Sequence, residues 1–410
     1  MIHQPMKKLS IGLLLFVAAF TTFLFTSCDS NSGVSSIEVR FQVTFPEFYA
    51  QTFAENAEVT LTSIERNETT SLTTDENGFA VFTELIPGRY DIRAERVLTA
   101  EQAFELTGTA EEATLSVSES NVNLTESTGD PILLQLRGSV LGNFVFKEVY
   151  FTGSKTPAGG NYFNDQFHEI FNNSTEVLFA DGLYIADVFG AAGQINPNTQ
   201  PTPFQFDQNH VYLNSVWRVP GNGTDHPIQP GESFIIAQTA QDHRNNPDLN
   251  PNSPVNLGDA DFETYNQRDD DRDIDNPNVP NMERVYFTGG FTWLVPVFGP
   301  ALVIFRVDDF ETLTLEPVPG ASPTFPPRVK LPVEFVIDSF EALQNPQSGD
   351  FKRLPLVLNP GFVSATGTYT AESARRFTER IIDGRHILRN TGNTAEDFEI
   401  IPTPTPRSFD

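Results

Sequence analysis

The side chains from which this chain could assemble a hydrolytic metal centre are His168, His210, His226, His243 and His386, three of them with Asp207, Asp225 or Asp242 close by in sequence. Imidazole and carboxylate are ligands that a catalytic zinc ion takes. The spacing argues against that chemistry. Zinc hydrolases set two histidines one helical turn apart as His-Glu-x-x-His, and neither that pattern nor a short His-x-His pair occurs. Serine chemistry lacks its Gly-x-Ser-x-Gly turn as well. His168, inside an alternating stretch beside Glu169, reads as a strand residue.

The acidic run Asp269-Asp270-Asp271-Arg272-Asp273-Ile274-Asp275-Asn276 suits a different ion. Asp269, Asp271, Asp273 and Asp275 place hard oxygens at alternate positions of one loop, which is what Ca²⁺ binds. The EF-hand pattern is not met, because Ile274 stands at its sixth position and Pro280 at its twelfth. Two readings stay open: a structural calcium held by these four carboxylates and stiffening the loop, and a solvated acidic loop. No other cofactor is expected.

The remaining reactive residue is Cys28, the one cysteine of the chain, so no intrachain disulfide can form. It follows Lys7-Lys8, an apolar run from Ile11 to Phe25 and Thr26-Ser27. A short basic region, an apolar stretch too short for a stable span and small residues before a cysteine describe a bacterial lipoprotein signal over residues 1–27. The expectation is cleavage before Cys28 and lipid attachment to it. Phe25 stands where leucine is commonest, which leaves other cleavage, or retention as an anchor, as the alternative. Residues 28–36 are small and polar and read as a flexible tether.

Composition limits what the tether carries. The formal charge is −28, and since the leader holds two lysines and no acid, the chain beyond it carries −30. Such a field repels nucleic acid and anionic headgroups and favours cations or a basic partner surface. Thirty Pro and 27 Gly, spaced between short runs rich in Val, Thr and Phe, predict an all-β protein.

Those runs must position whatever the loops present. Ile37, Val39, Phe41 and Val43 alternate, and so do Val59 and Leu61, Phe79 and Val81, and Tyr90 and Ile92, as in antiparallel sheet with one covered face. Asn77-Gly78 reads as a type I′ hairpin turn and Pro87-Gly88 as a second turn. With Ala57-Glu58-Val59-Thr60-Leu61 and Leu85-Ile86-Pro87-Gly88-Arg89-Tyr90, these turns make residues 37–136 similar to the carboxypeptidase regulatory-like, or prealbumin-like, β-sandwich. That resemblance implies an accessory module and no peptidase activity.

A second unit is expected over residues 137–410. Phe144 to Phe151 is a strand, and Asp165-Gln166-Phe167-His168-Glu169-Ile170-Phe171-Asn172-Asn173-Ser174 is another that ends in an Asn-rich turn. With Ala180-Asp181-Gly182-Leu183-Tyr184 and the strand led by Pro230-Gly231, this part resembles the lamin-tail domain, an immunoglobulin-like sandwich. Long Asn-, Pro- and Asp-rich loops at about 187–281 elaborate it, and loops of that length tend to carry function. Phe291 to Phe305 is too short and too broken by proline and glycine to cross a bilayer, and reads as a turn into a buried strand, Ala301 to Phe305. Val149-Tyr150-Phe151-Thr152-Gly153 recurs at Val285 to Gly289, as related strands or by accident.

The order of leader, prealbumin-like module and Glu-Ile-Phe-Asn-Asn-Ser core is similar to an uncharacterised lipoprotein family of Bacteroidetes-type bacteria. The resemblance brings no reaction with it. The expected protein is a non-enzymatic binding or assembly lipoprotein of the outer membrane, facing the periplasm or the cell surface, and an accessory to an outer-membrane transporter or another surface protein. The alternatives are an adhesin or glycan-binding lipoprotein, using rings such as Tyr162, Tyr212, Trp217 and Tyr265, and a periplasmic metal-dependent hydrolase.

Overall fold

Alternation along β1 (Ile37–Thr44) sets the first layer, because Ile37, Val39, Phe41 and Val43 are buried and the residues between them are not. A strand patterned this way needs a second layer over its apolar face. The computed structural model describes residues 35–46, 49–107, 113–138, 144–270, 272–382 and 384–409. The expected lipoprotein leader with Cys28, and Asp271 of the acidic run, lie outside the described residues. Contacts reported below fall within the unit that begins at Ser36.

The second layer is built from β2 (Glu58–Ser63), β3 (Thr69–Thr73), β5 (Gly88–Leu98), β6 (Ala113–Leu124) and β8 (Arg137–Gly138), in the order β3-β2-β5-β6-β8. It faces a sheet in which β1 lies between β4 (Phe79–Leu85), antiparallel to it, and β7 (Ile132–Gln135), parallel to it. Val39, Phe41, Val59, Leu61, Ile92 and Leu115 fill the space between them. The two glycine turns depart from the sequence reading. Gly78 has φ +74° but Asn77 is not at positive φ, so the turn is not type I′, and β3 and β4 belong to different sheets, so it is no hairpin. Gly88 is not at positive φ either, and Pro87-Gly88 likewise carries the chain from one sheet to the other.

Residues 144–401 form a second pair of sheets. One holds Phe262–Glu263, Ser233–Ala237, Phe167–Asn172, Phe144–Tyr150, Ser373–Arg376 and Phe398–Ile401 in that spatial order. The other holds Thr314–Glu316, Arg328–Pro332, His210–Arg218, Tyr184–Val188, Ala301–Phe305 and Val336–Glu341, with Glu283–Tyr286 added against His210–Arg218. Phe146, Ile170 and Phe234 from the first meet Ile185, Trp217 and Ile304 from the second in a shared core. The expected strand Ala301–Phe305 is present and wholly buried.

Unlike an ordinary sandwich, both outer faces are covered too. Val211, Leu213, Val303 and Phe305 form a core on the far side of the larger sheet. On the far side of the other, Tyr150, Phe167 and Ile235 meet Val255, Leu257 and Val279. Those last three come from the Asn- and Pro-rich stretch before 281, so part of that long loop is core material. Each copy of the recurring pentapeptide begins in the last two residues of a strand and runs on past it, and the two strands, the buried Phe144–Tyr150 and the outlying Glu283–Tyr286, belong to different sheets. Among the described residues no helix is long and apolar enough to cross a membrane.

Candidate functional site

Where the larger sheet passes the long loop after Val188, its strands His210–Arg218 and Arg328–Pro332 place Tyr212 opposite Lys330. Val211, Leu213, Val329 and Leu331 point into the outer core, so alternation turns Tyr212, Lys330 and Arg328 to the opposite face. There the loop lays down rings. Phe204 stacks on Tyr212 with centroids 3.7 Å apart and planes at 5°. Phe189 meets Phe204 and Phe325 edge to face at 6.1 and 6.3 Å. The Arg328 guanidinium lies 4.3 Å from the Phe189 centroid and 4.7 Å from that of Phe325, and burial lowers its pKa.

The loop that carries this ledge is held in place. Ile195 N–H donates to Gln344 Oε1 at 2.6 Å, Gln205 Nε2 donates to the Asp350 carbonyl at 2.7 Å, and Gln208 Oε1 accepts from Val357 N–H at 3.3 Å. Phe189 N–H donates to the Tyr212 carbonyl at 2.8 Å. From this anchored turn Phe206, two residues past Phe204, projects with 90% of its surface exposed. A large apolar ring held in water on a braced loop has the residue type and the low mobility that interface anchors share.

Asp207 completes the ledge. Burial raises its pKa, but hydrogen bonds from Tyr212 Oη at 2.7 Å, the Asn209 N–H at 2.9 Å and His210 Nδ1 at 3.0 Å outweigh that and hold the carboxyl below its ordinary range. The Tyr212 hydroxyl is pushed up in turn, first by burial and then by that carboxylate.

The remaining candidate residues do not converge. His168 is buried against Trp293, its pKa lowered to about 3 by desolvation. His243 is buried between Tyr162 Oη and the Thr239 carbonyl, at 2.7 and 2.9 Å. His226 packs edge to face on Phe262, and His386 stacks on Phe409. Asp225 and Asp242 accept hydrogen bonds within their own turns, from Asn222 and Asn245. In the acidic run, Asp273 is buried and accepts from the Asn266 and Ile274 N–H groups, Asp275 accepts from Asn281 Nδ2, and Asp269 is exposed. Among the described residues, no three His, Cys, Asp or Glu side chains are grouped as a metal site. Of the four rings noted in the sequence, Trp217 is core, Tyr212 lies beneath Phe204, Tyr162 is tied to His243 and Tyr265 is half-buried.

Comparison with known proteins finds a partial family match and a similar solved structure. Residues 229–405 match the family model described as protein of unknown function (DUF4876). The crystal structure of a DUF4876 family protein from Bacteroides thetaiotaomicron VPI-5482 is similar over 91% of this chain and 97% of that one, at 26% identity and a TM-score of 0.57. The chain therefore resembles, over nearly all its described length, a Bacteroides protein of a family without assigned function. A candidate adhesin from Bacteroides ovatus ATCC 8483 covers 77% of this chain and 89% of its own at 8% identity, with a TM-score of 0.17. The pilus adhesin from Streptococcus pneumoniae covers 45% of this chain and 20% of its own at 14% identity, with a TM-score of 0.15. Neither likeness carries an argument. No curated protein matches the chain.

What the sequence reading missed is the set of buried charges. Lys147, Glu148 and Glu169 are buried on one outer sheet face, and Glu341 is buried with Lys352 and Arg353 at 2.7 and 3.2 Å. Asp165 accepts from Ser154 and Ser253 Oγ, both at 2.7 Å. The available signal was Lys147-Glu148 interrupting an otherwise apolar strand.

Proposed function

We propose that this chain is a non-enzymatic binding protein of the outer envelope, tethered through lipid on Cys28 and accessory to an outer-membrane transporter or another surface protein. The residues 37–136 sandwich, in this reading the prealbumin-like module, serves as the stalk, and the lamin-tail-like part presents the contact. The observation that carries the reading is Phe206, 90% exposed on a loop braced by hydrogen bonds to Gln344, Asp350 and Val357. A ring held out this way loses little conformational entropy on binding and removes apolar surface from water when a partner covers it. The acidic surface favours a partner face rich in Lys and Arg. Candidate acids and bases spent on structural hydrogen bonds, as Asp207 and His243 are, agree with a role in contact more than in turnover.

The test is purification of the lipidated protein from its native envelope in mild detergent, as wild type and as Phe206→Asp, with mass spectrometry of co-eluting protein. A stoichiometric membrane partner that is lost from the variant is the expected result. The same partner retained at full yield by Phe206→Asp would refute the ledge as the contact.

A further inference from the structure

The outer face of the smaller sheet of the second sandwich, around Lys147, Glu148 and Glu169, is crossed by the segment Pro404–Phe409. Cross-strand register sets Glu148 opposite Glu169 on adjacent strands. Glu148 accepts from the Thr405 N–H at 3.0 Å and from Thr405 Oγ1 at 3.1 Å, and Glu169 accepts from the Arg407 N–H at 3.1 Å. Two buried carboxylates thus read alternate main-chain N–H groups of one segment. Pro406 and Arg407 form a turn closed by the Ser408 N–H on the Thr405 carbonyl at 3.0 Å, with Arg407 at φ +64°. That is the type II arrangement, with proline where φ is preset and a side chain where glycine is ordinarily needed. The left-handed arginine costs about 1 kcal/mol. What offsets it is its guanidinium, donating to Asp261 Oδ2 at 2.9 Å and to the Asp259 carbonyl at 3.0 Å. Phe409 then fills a made-to-measure slot: stacked on His386 at 3.7 Å, edge to face on Phe171 at 5.8 Å, and under the Lys147 ammonium at 4.1 Å.

We propose that this trough is a peptide-binding site occupied by the chain's own Pro404–Phe409 segment, and that it exchanges that segment for a proline-arginine turn followed by an aromatic residue on a partner protein. The chemistry beneath the segment is what makes exchange feasible. A segment that only closes a core covers apolar side chains, and lifting it exposes them at full hydrophobic cost. Here lifting it uncovers Val145, Phe171 and Leu388 beneath Phe409, but it also returns an ammonium and two carboxylates to water, whose recovered hydration offsets part of the lost contact. Recognition is divided between main-chain donors and two side-chain slots, as in other peptide grooves. The resident segment acts as a competitor in cis, reducing apparent affinity by the fraction of time the trough is closed.

The experiment uses the full chain with a protease site inserted between Pro402 and Thr403, both exposed, folded first and then cut. A labelled peptide with the sequence of residues 402–410 is added and followed by fluorescence anisotropy. Saturable binding is expected, weakened at least tenfold by Phe409→Ala or Arg407→Ala in the peptide. Absence of saturable binding to the cut, folded chain, or binding indifferent to both substitutions, overturns the proposal. An independent reading comes from the uncut chain carrying Phe409→Ala, whose cis competitor is weakened. It should bind the wild-type peptide at least fivefold tighter than the uncut wild type does, and equal affinities for the two chains would count against exchange.

Discussion

The Lys147 ammonium lies 2.8 Å from the Glu169 carboxylate, with the two side chains 1% and 0% exposed. Glu169 also accepts from Ser233 Oγ and from the Arg407 N–H, so each of its oxygens has a donor. A pair this dry is worth little against an apolar substitute, but breaking it strands a charge. Lys147→Met is therefore expected to cost about 3–5 kcal/mol in denaturant unfolding. Adding Glu169→Leu to that variant should recover part of the loss. A double variant less stable than the single one would contradict this balance.

Stability should fall between mildly acidic and alkaline pH. Burial pushes the Glu148 carboxyl up from 4.5 to about 7, against the pull of hydrogen bonds from Ser373 and Thr405. Glu263 is moved to about 7 by the same cause. A carboxyl with a folded pKa above its unfolded value gives stability that is complete below the unfolded value and disappears as pH rises through the folded one. Glu341 works in the other direction. Burial raises it, but Lys352 and Arg353 outweigh that and lower it, so its contribution is lost in acid. The melting temperature should therefore peak at about pH 4–5, near the unfolded carboxyl value, and fall on either side. Glu148→Gln should flatten the fall between pH 5 and 8, and parallel slopes for wild type and variant would refute the assignment.

Two glycines that look alike in sequence should respond differently to alanine. At Gly78 a Cβ would sit 2.3 Å from the Val43 carbonyl oxygen, in a residue at φ +74°. At Gly88 the nearest atom is the end of the Glu65 side chain at 3.2 Å, and φ is not positive. Gly78→Ala should cost about 2 kcal/mol or more, and Gly88→Ala less than about 1 kcal/mol. Equal losses in thermal unfolding would show that the Gly78 turn relaxes.

Millimolar calcium, or its removal with chelator, should leave the melting temperature unchanged within about 1 °C, the outcome when no folded-state site is filled. The reason is that Asp273 and Asp275 are committed to Asn266, Ile274 and Asn281. A saturable rise that Asp269→Asn or Asp271→Asn abolishes would show instead that the loop holds calcium.

Much of the architecture is legible in the sequence wherever one face of a strand is covered. Ile37, Val39, Phe41 and Val43 announce β1, and Ala301 to Phe305 announces a strand buried on both faces. The chemistry is less legible because its partners are remote. Alternation puts Glu148 and Glu169 on an outer face, which reads as wet, and nothing local tells that Thr405 and Arg407 return to cover them. Val255 and Leu257 sit among Asn and Pro and read as loop, yet they seal the face of Phe167 and Ile235. Asn77-Gly78 is ambiguous for a related reason: the conformation of its turn is set by contact with Val43, on another strand.

The parallel pairing of β1 with β7, from Phe41 opposite Ile132 to Thr44 opposite Gln135, has a mechanical consequence. Tension applied at the chain entering Ile37 and at the chain leaving Gln135 pulls the two strands in opposite directions along their length. All rungs between them then bear load together, in shear, and must yield nearly at once, whereas a hairpin pulled from its open end peels one rung at a time. A module so connected passes force from its first residue to whatever follows it without unravelling.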